Sequence, residues 1–287
     1  MYTKTDANIE IHVHPFLGNN TILEVISAMK RTGIDIASLE TLDSTLFPSV
    51  VKQVQKNYSA IVVDGSGIIL PNGIVLLNGR EYNTKEGFHL ITVGYSVDKA
   101  NLQSEMRYVI DNALKHDALV VLDHPFVDNH KTKTAGHISL EMEYDLEKLC
   151  KEYSGHITLE WNGYCKPWMR RVLQTVLKGV GHKTLYYDVN KRADEFSARL
   201  KEEGFNVPVV ADTDLHARNS RLLRAIGTAR LITSVEGETA SDIVHSMKAN
   251  IFGGNYQNVK EYVSMWHLLQ AFCFPVLFPN TFEKPRS

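Results

Sequence analysis

Short apolar runs alternate with stretches whose apolar residues recur at three- and four-residue spacing along this 287-residue chain. That alternation restricts the fold more than any other feature, because strand–helix–strand units pair in parallel through helical crossovers. Ile9 to Val13 reads as the first strand. Thr21-Ile-Leu-Glu24 then forms a capping box, and Ile22, Val25, Ile26 and Met29 follow helical spacing until Gly33. Ile34 to Leu39 is the next strand. Further strands are expected at Ala60 to Val63, Leu90 to Gly94, Ala118 to Leu122, Ile157 to Trp161, Val207 to Ala211 and Ile226 to Ile232. Gly67 to Leu77 reads as a hairpin around Pro71-Asn72-Gly73. Helical periodicity covers Asn101 to His116, Leu140 to Tyr153, Trp168 to Leu177, Arg192 to Glu203 and Ala240 to Ala249. The expectation is one α/β barrel, whose chemistry sits at the C-terminal ends of its strands.

Several polar residues fall at such ends. His12 and His14 share one side of an extended segment, so both imidazoles can reach one ion. His124 follows Ala118 to Leu122, and Asp214 and His216 follow Val207 to Asp212. Glu81 and His89 flank a turn beyond Ile74 to Asn78. Taken singly, each reads as an ordinary hydrogen-bonded or solvated side chain. Taken together, five histidines and two carboxylates lie where a barrel would converge them. Imidazole plus carboxylate, without thiolates, suits a zinc, iron or manganese centre rather than a structural zinc site. Histidines 116, 130, 137, 156, 182, 245 and 267 read as non-ligands.

The order His-x-His, capped helix, Gly-Ile-Asp strand, Gly-x-Glu, His, strand-His-Pro, Glu-x-Asn and Thr-Asp-x-His resembles the PHP (polymerase and histidinol phosphatase) family of metal-dependent phosphoesterases. The resemblance runs from Ile9 to about Gly227. It implies a distorted (β/α)7 barrel in a single domain. It also implies one metal site at His12, His14, Glu81 and Asp214, and a second at Glu81, His89 and His124. His216 matches the last ligand of a third site. Two ligands usual for that site are absent, since Asn19 and Leu42 stand in their places, although Glu40 or Asp43 can partly substitute. The expected cofactors are therefore two divalent transition-metal ions, Zn, Mn or Fe. Two such ions share a hydroxide and clamp a phosphoryl group. Glu81 would bridge them, and His216 would act on the leaving oxygen or the phosphate. Arg80, Arg218, Arg221 and Arg224 are the cationic candidates for the substrate's charge, and the loop Pro125 to His137 is a candidate cover. The expected activity is hydrolysis of a small phosphorylated metabolite or nucleotide. An amidohydrolase-like C–N hydrolase and a non-catalytic metal-binding barrel are the alternatives.

The formal net charge of −2 gives no reason to expect a nucleic-acid polymer as partner. Met1 to Glu10 is polar, without the apolar core of a signal peptide, and no apolar run is long enough to span a bilayer. Cys150, Cys165 and Cys273 have neither zinc-finger nor CxxC spacing, which fits a reducing cytoplasm. The chain is expected to divide into a barrel, 1–258, and an apolar C-terminal segment, 259–287. From Val259 to Phe278 that segment is too apolar to leave in water. It is expected to pack on the barrel, with a homodimer interface or membrane-surface attachment as the alternatives.

Overall fold

The computed structural model describes residues 1–15, 20–40, 46–96, 104–127, 138–167 and 188–273. In chain order the elements are β1 (Tyr2–His14), α1 (Ile22–Thr32), β2 (Ile36–Glu40), α2 (Leu46–Asn57), β3 (Val62–Asp64), β4 (Gly67–Ile69), β5 (Val75–Asn83) and β6 (His89–Val93). There follow α3 (Met106–Lys115), β7 (Leu119–Asp123), α4 (Leu140–Glu152), β8 (Ile157–Asn162), α5 (Val189–Glu202), β9 (Val209–Asp212) and β10 (Leu215–His216). A 3-10 turn (Leu222–Ala225), β11 (Arg230–Gly237), α6 (Ala240–Phe252), β12 (Tyr256–Val259) and α7 (Met265–Leu268) complete the described chain.

Local chemistry explains the elements the sequence marks clearly. Thr21 accepts from the Glu24 amide, and the Glu24 carboxylate accepts from the Thr21 amide, so the capping box opens α1. Gly33 closes the helix in the left-handed region, where an L side chain is strained. The apolar stripe Ile22, Val25, Ile26 and Met29 is buried, joining Leu39, Leu222 and Leu223 in one core cluster.

Seven strands run in the order β1-β2-β5-β6-β7-β8-β9, and β11 and β12 extend the sheet beyond β1. Pairs β1–β2, β2–β5, β7–β8 and β8–β9 are parallel, whereas β6 is antiparallel to both β5 and β7. The gap between β9 and β12 is bridged by Asn258, whose side chain bonds the Ala211 amide and the Val209 carbonyl. The sheet is thus a nearly closed, distorted (β/α) barrel. Helix α6 covers the end away from His89: Val244 packs on Gly94 just past β6, and His245 meets Asp117 just before β7. Its residues Ile243, Val244, Met247 and Ile251 join Ile36, Val75, Ile91, Val121 and Val210 in a second cluster.

The structure departs from the sequence expectations in four places. The run Ala60 to Val63 is not a barrel strand; Val62 and Val63 are exposed in β3, which pairs antiparallel only with β4, and it is the buried β4 that joins the barrel through β5. Helix α2, with Phe47, Val50 and Val54 as its buried stripe, was not anticipated. The last barrel-edge strand begins at Arg230 rather than Ile226, because a 3-10 turn precedes it. Strand β12 was also unforeseen. The helix expected at Trp168 to Leu177 lies outside the described residues.

Candidate metal centre

Three segments deliver polar residues at every second position: Glu10, His12 and His14 on β1, Glu160 and Asn162 on β8, and Asp212 at the end of β9 with Asp214 and His216 beyond it. Contacts within these columns show the shared face. His12 Nε2 lies 2.8 Å from His14 Nε2, Asn162 Nδ2 donates to Glu160 Oε2 at 2.9 Å, and the Asp214 amide donates to Asp212 Oδ1. His89 starts its strand rather than ending it. It reaches the same end because β6 runs backwards, which places His89 opposite Asp123. His124 and Asp214 both take positive φ, at 27° and 55°, so the backbone turns sharply just where these residues leave their strands.

The side chains form four adjoining groups whose ligand atoms lie within 4.8 Å of one another. His12, His14 and Glu81 make the first, and Glu81, His89, Asp123 and His124 the second. Glu81 serves both: Oε2 lies 3.4 Å from His14 Nε2, and Oε1 lies 2.5 Å from His89 Nδ1. His14, Asp214 and His216 make the third group, and His12, Glu160 and Asp212 the fourth, beneath the others. Asp214 Oδ1 lies 3.4 Å from His12 Nε2, 3.7 Å from His14 Nε2 and 3.1 Å from His216 Nδ1. Asn19, Leu42 and Asp43 lie outside the described residues. Glu40 is buried and accepts from Ser38, and it joins none of the four groups among the described residues. Its carboxylate and the Ser38 hydroxyl fill the space where a Cβ at position 79 would sit, so Gly79 is sterically required.

The donor set fits divalent cations. Asp123 is fully buried, yet neither of its oxygens makes a well-aligned hydrogen bond, and Asp212 Oδ2, Asp214 Oδ1 and His89 Nδ1 likewise have only ion-pair contacts or none. Native interiors seldom leave so many buried polar atoms unsatisfied in one place. Burial and the neighbouring imidazoles His12 and His216 push His14 down to about 3, so its ring is neutral and its lone pair is available. Glu81 and Asp214 are held below the usual carboxylate range despite burial, Glu81 by His89 and His14, Asp214 by His12 and His216. His12 is pushed up because Asp214, Asp123 and Glu160 outweigh its burial. Burial and the charge of Glu160 raise Asp123 and Asp212.

Three residues without an assigned role in the sequence reading prove central. Glu160 accepts from His12 Nδ1 at 2.7 Å, from the His124 amide at 2.7 Å and from Asn162. Asn162 also donates to Asp214 Oδ2 at 2.9 Å. Asp123 adds a carboxylate to the His89–His124 group. The available signal was the alternate-residue polar column, Glu-x-His-x-His, Glu-x-Asn and Asp-x-Asp-x-His. His267, read as a bystander, is buried and lies 2.6 Å from the Tyr164 hydroxyl, and the Tyr164 ring stands edge-on to His216.

The four candidate arginines lie in three different places. Arg80 lies over the Tyr82 ring, on the face of β5 opposite Glu81, because neighbouring residues in a strand point to opposite sides. Arg218 donates through Nε to the Ala271 carbonyl. Arg221 and Arg224 line a separate cleft beside α1. None of the four belongs to a ligand group. Of the candidate covering loop, Pro125 to Val127 is described, and Phe126 there is buried in the core; the rest lies outside the described residues.

No protein-family model and no curated protein sequence matches the chain. Solved structures do. PsfC from Pseudomonas syringae PB-5123 superimposes with a TM-score of 0.56 at 10% identity, covering 96% of this chain and 99% of that one. A two-domain Bacteroides vulgatus protein described as containing a predicted PHP-like metal-dependent phosphoesterase gives 0.52 at 12% identity, covering 95% and 73%. The lesion-specific endonuclease PfuEndoQ from Pyrococcus furiosus gives 0.51 at 14% identity, covering 88% of this chain and 57% of the endonuclease. The chain shares its distorted β/α barrel fold with these structures, one of which is described as containing a predicted PHP-like metal-dependent phosphoesterase.

Proposed function

We propose that the chain is a metal-dependent phosphoesterase. The observation that carries this reading is the sharing of Glu81 between the His12–His14 pair and the His89–Asp123–His124 group. One carboxylate between two imidazole-rich sets is an arrangement for two cations. Bound there, two divalent ions supply a nucleophile at neutral pH and offset charge on a phosphoryl group in line for displacement. His12, His14, Glu81 and Asp214 would hold one ion. Glu81, His89 and His124 would hold the other, with Asp123 behind them.

The chain's own groups do the rest. Glu160 fixes the His12 ring by accepting from Nδ1, which leaves Nε2 directed at the centre. Asn162 ties Glu160 to Asp214, so ligands from β1, β8 and the segment after β9 are held as one unit. His216, with Nδ1 against the Asp214 carbonyl, offers its other nitrogen as proton donor to the leaving oxygen. The position of His216 beside Asp214 and His14 supports that role.

The fold is shared with an endonuclease, so the net charge alone does not restrict the substrate to small metabolites. The test combines metal analysis with hydrolysis of phosphomonoesters and phosphodiesters in Mn²⁺, Zn²⁺ or Fe²⁺. About two ions per chain together with metal-dependent release of product is the expected result. Full metal loading with no turnover of any phosphoester would leave a binding protein instead.

A further inference from the structure

A cleft of about 610 Å³ lies outside the metal centre, between α1 and the 3-10 turn. Arg31, Arg221 and Arg224 line it, with Ser27 and Ser220. Glu24 is the one carboxylate in its lining, and that carboxylate is engaged in the α1 capping box. Among the described residues, none of the three guanidiniums pairs with a carboxylate; Arg31 donates only to Ser27. Arg107, Arg192 and Arg199 by contrast pair with Glu152, Glu143 and Glu147, and Arg218 and Arg230 are held by carbonyl and amide oxygens. Three uncompensated guanidiniums converge from two elements in a chain whose formal net charge is −2. Planar guanidinium forks with neighbouring hydroxyls suit phosphate oxygens.

The cleft is also joined to the metal centre. Its walls lead away from the centre: α1 follows β1, which ends at His14, and the 3-10 turn follows β10, which ends at His216, with Arg31 in the last turn of α1 at the end remote from His14. Asn20 clamps their junction by donating to the Pro15 and Ala217 carbonyls. From Glu24 to Arg31 the wall runs roughly 10 Å at the helical rise. A nucleic-acid strand sets down about three phosphates in that length, at ~3.4 Å each.

We propose that this cleft holds the phosphates of a nucleic-acid strand that flank a phosphodiester at the metal centre. The proposal rests on the phosphoesterase reading and adds to it a polymeric substrate. Local charge decides such binding, and the net charge averages it away.

The test measures binding of a fluorescent single-stranded oligonucleotide to the full chain by anisotropy across a salt series, in EDTA so that nothing is cleaved. Arg31→Ala with Arg221→Ala should weaken binding and lower the slope of log K against log salt by about 1.4 to 2. Arg107→Ala, which removes a paired arginine elsewhere, should leave the slope unchanged. No binding by the unaltered protein, an unchanged slope in the double variant, or an equal effect of Arg107→Ala would each overturn the proposal. Turnover of bis(4-nitrophenyl) phosphate by the unaltered protein with Mn²⁺ is followed separately. Its absence counts against the phosphoesterase reading, whereas the binding data judge the cleft.

Discussion

Replacing Glu160 by Gln probes how far the centre depends on a residue that touches no cation in the proposed arrangement. The carboxylate accepts on both oxygens: Oε1 from His12 Nδ1 at 2.7 Å, and Oε2 from the His124 amide at 2.7 Å and Asn162 at 2.9 Å. Glutamine has the same shape but one acceptor. If its amide nitrogen faces His12, the ring must carry its proton on Nε2, and the lone pair directed at His14 and Asp214 is lost. If it faces His124 and Asn162, donor opposes donor. Either outcome weakens a ligand from outside, an effect typically worth ~10–100-fold in metal affinity, or about 1.4–2.8 kcal/mol. Folding without metal responds differently. An opposed donor costs about 1–3 kcal/mol. Against this, Glu160 carries the charge that helps raise Asp123 and Asp212, so its neutralisation relieves repulsion among buried carboxylates. The two effects have opposite signs and offset each other. The expected result is a clear loss of affinity in competition with a chromogenic chelator, with the apo melting temperature little changed. Affinity within about twofold of the unaltered protein would refute the reasoning, since the range above starts near tenfold.

Glu81→Gln should lower bound metal, read by elemental analysis, and reduce turnover by several orders of magnitude, because this carboxylate serves both cation positions. His216→Ala should keep the two ions and slow turnover by ~10²–10⁴-fold, the usual worth of a general acid; metal loss equal to that of Glu81→Gln would make His216 an ordinary ligand. Metal affinity should keep rising with pH past 6.5, the ordinary histidine value, because the ligands His12 and His89 are raised and their protons compete with the cation until higher pH. A titration complete by pH 6 would contradict those shifts. Truncation after Asn258 should give aggregated protein by light scattering, because Val263, Leu268 and Ala271 are buried in the core cluster that contains Val13 and Leu222.

Much of the barrel was legible because helix caps and periodicity are local. Thr21, Glu24 and Gly33 bound α1 where their chemistry says they should. Strand direction is not local. The run Leu90 to Gly94 looks like any parallel strand, and only the short connection from Asn83 to His89 shows that no crossover helix fits there. Val62 and Val63 carry the composition of a core strand but lie exposed in a ribbon, since tertiary position rather than β-propensity decides burial. Helix α2 is hard to read from periodicity because its buried positions, Phe47, Val50 and Val54, are few among polar residues.

The candidate site was legible in its outer ring and not in its floor, and the reason lies in what counts as a strand. Reading apolar runs places polar residues only at the ends, so His12, His14, His124 and Asp214 emerge. Glu10 and Glu160, sitting inside the runs, look like interruptions. In the fold they are the inward face of the same strands. Glu10 accepts from the Thr213 and Gly227 amides, tying β1 to the segments that carry Asp214 and lead into β11. Glu160 holds His12, and Glu40 is packed against Ser38 and Gly79. Burying Glu10, Glu40, Asp123, Glu160, Asp212 and Asp214 together is costly unless protons, donors or cations offset their charge. Backbone amides meet Glu10 and His12 meets Glu160, but the Asp123 carboxylate makes no well-aligned hydrogen bond and has only imidazoles near it. A column of this kind in an otherwise apolar strand is therefore a stronger sign of a cation centre than a histidine pair at the strand end. The pair can be satisfied by solvent, whereas the buried carboxylates need something positive beside them.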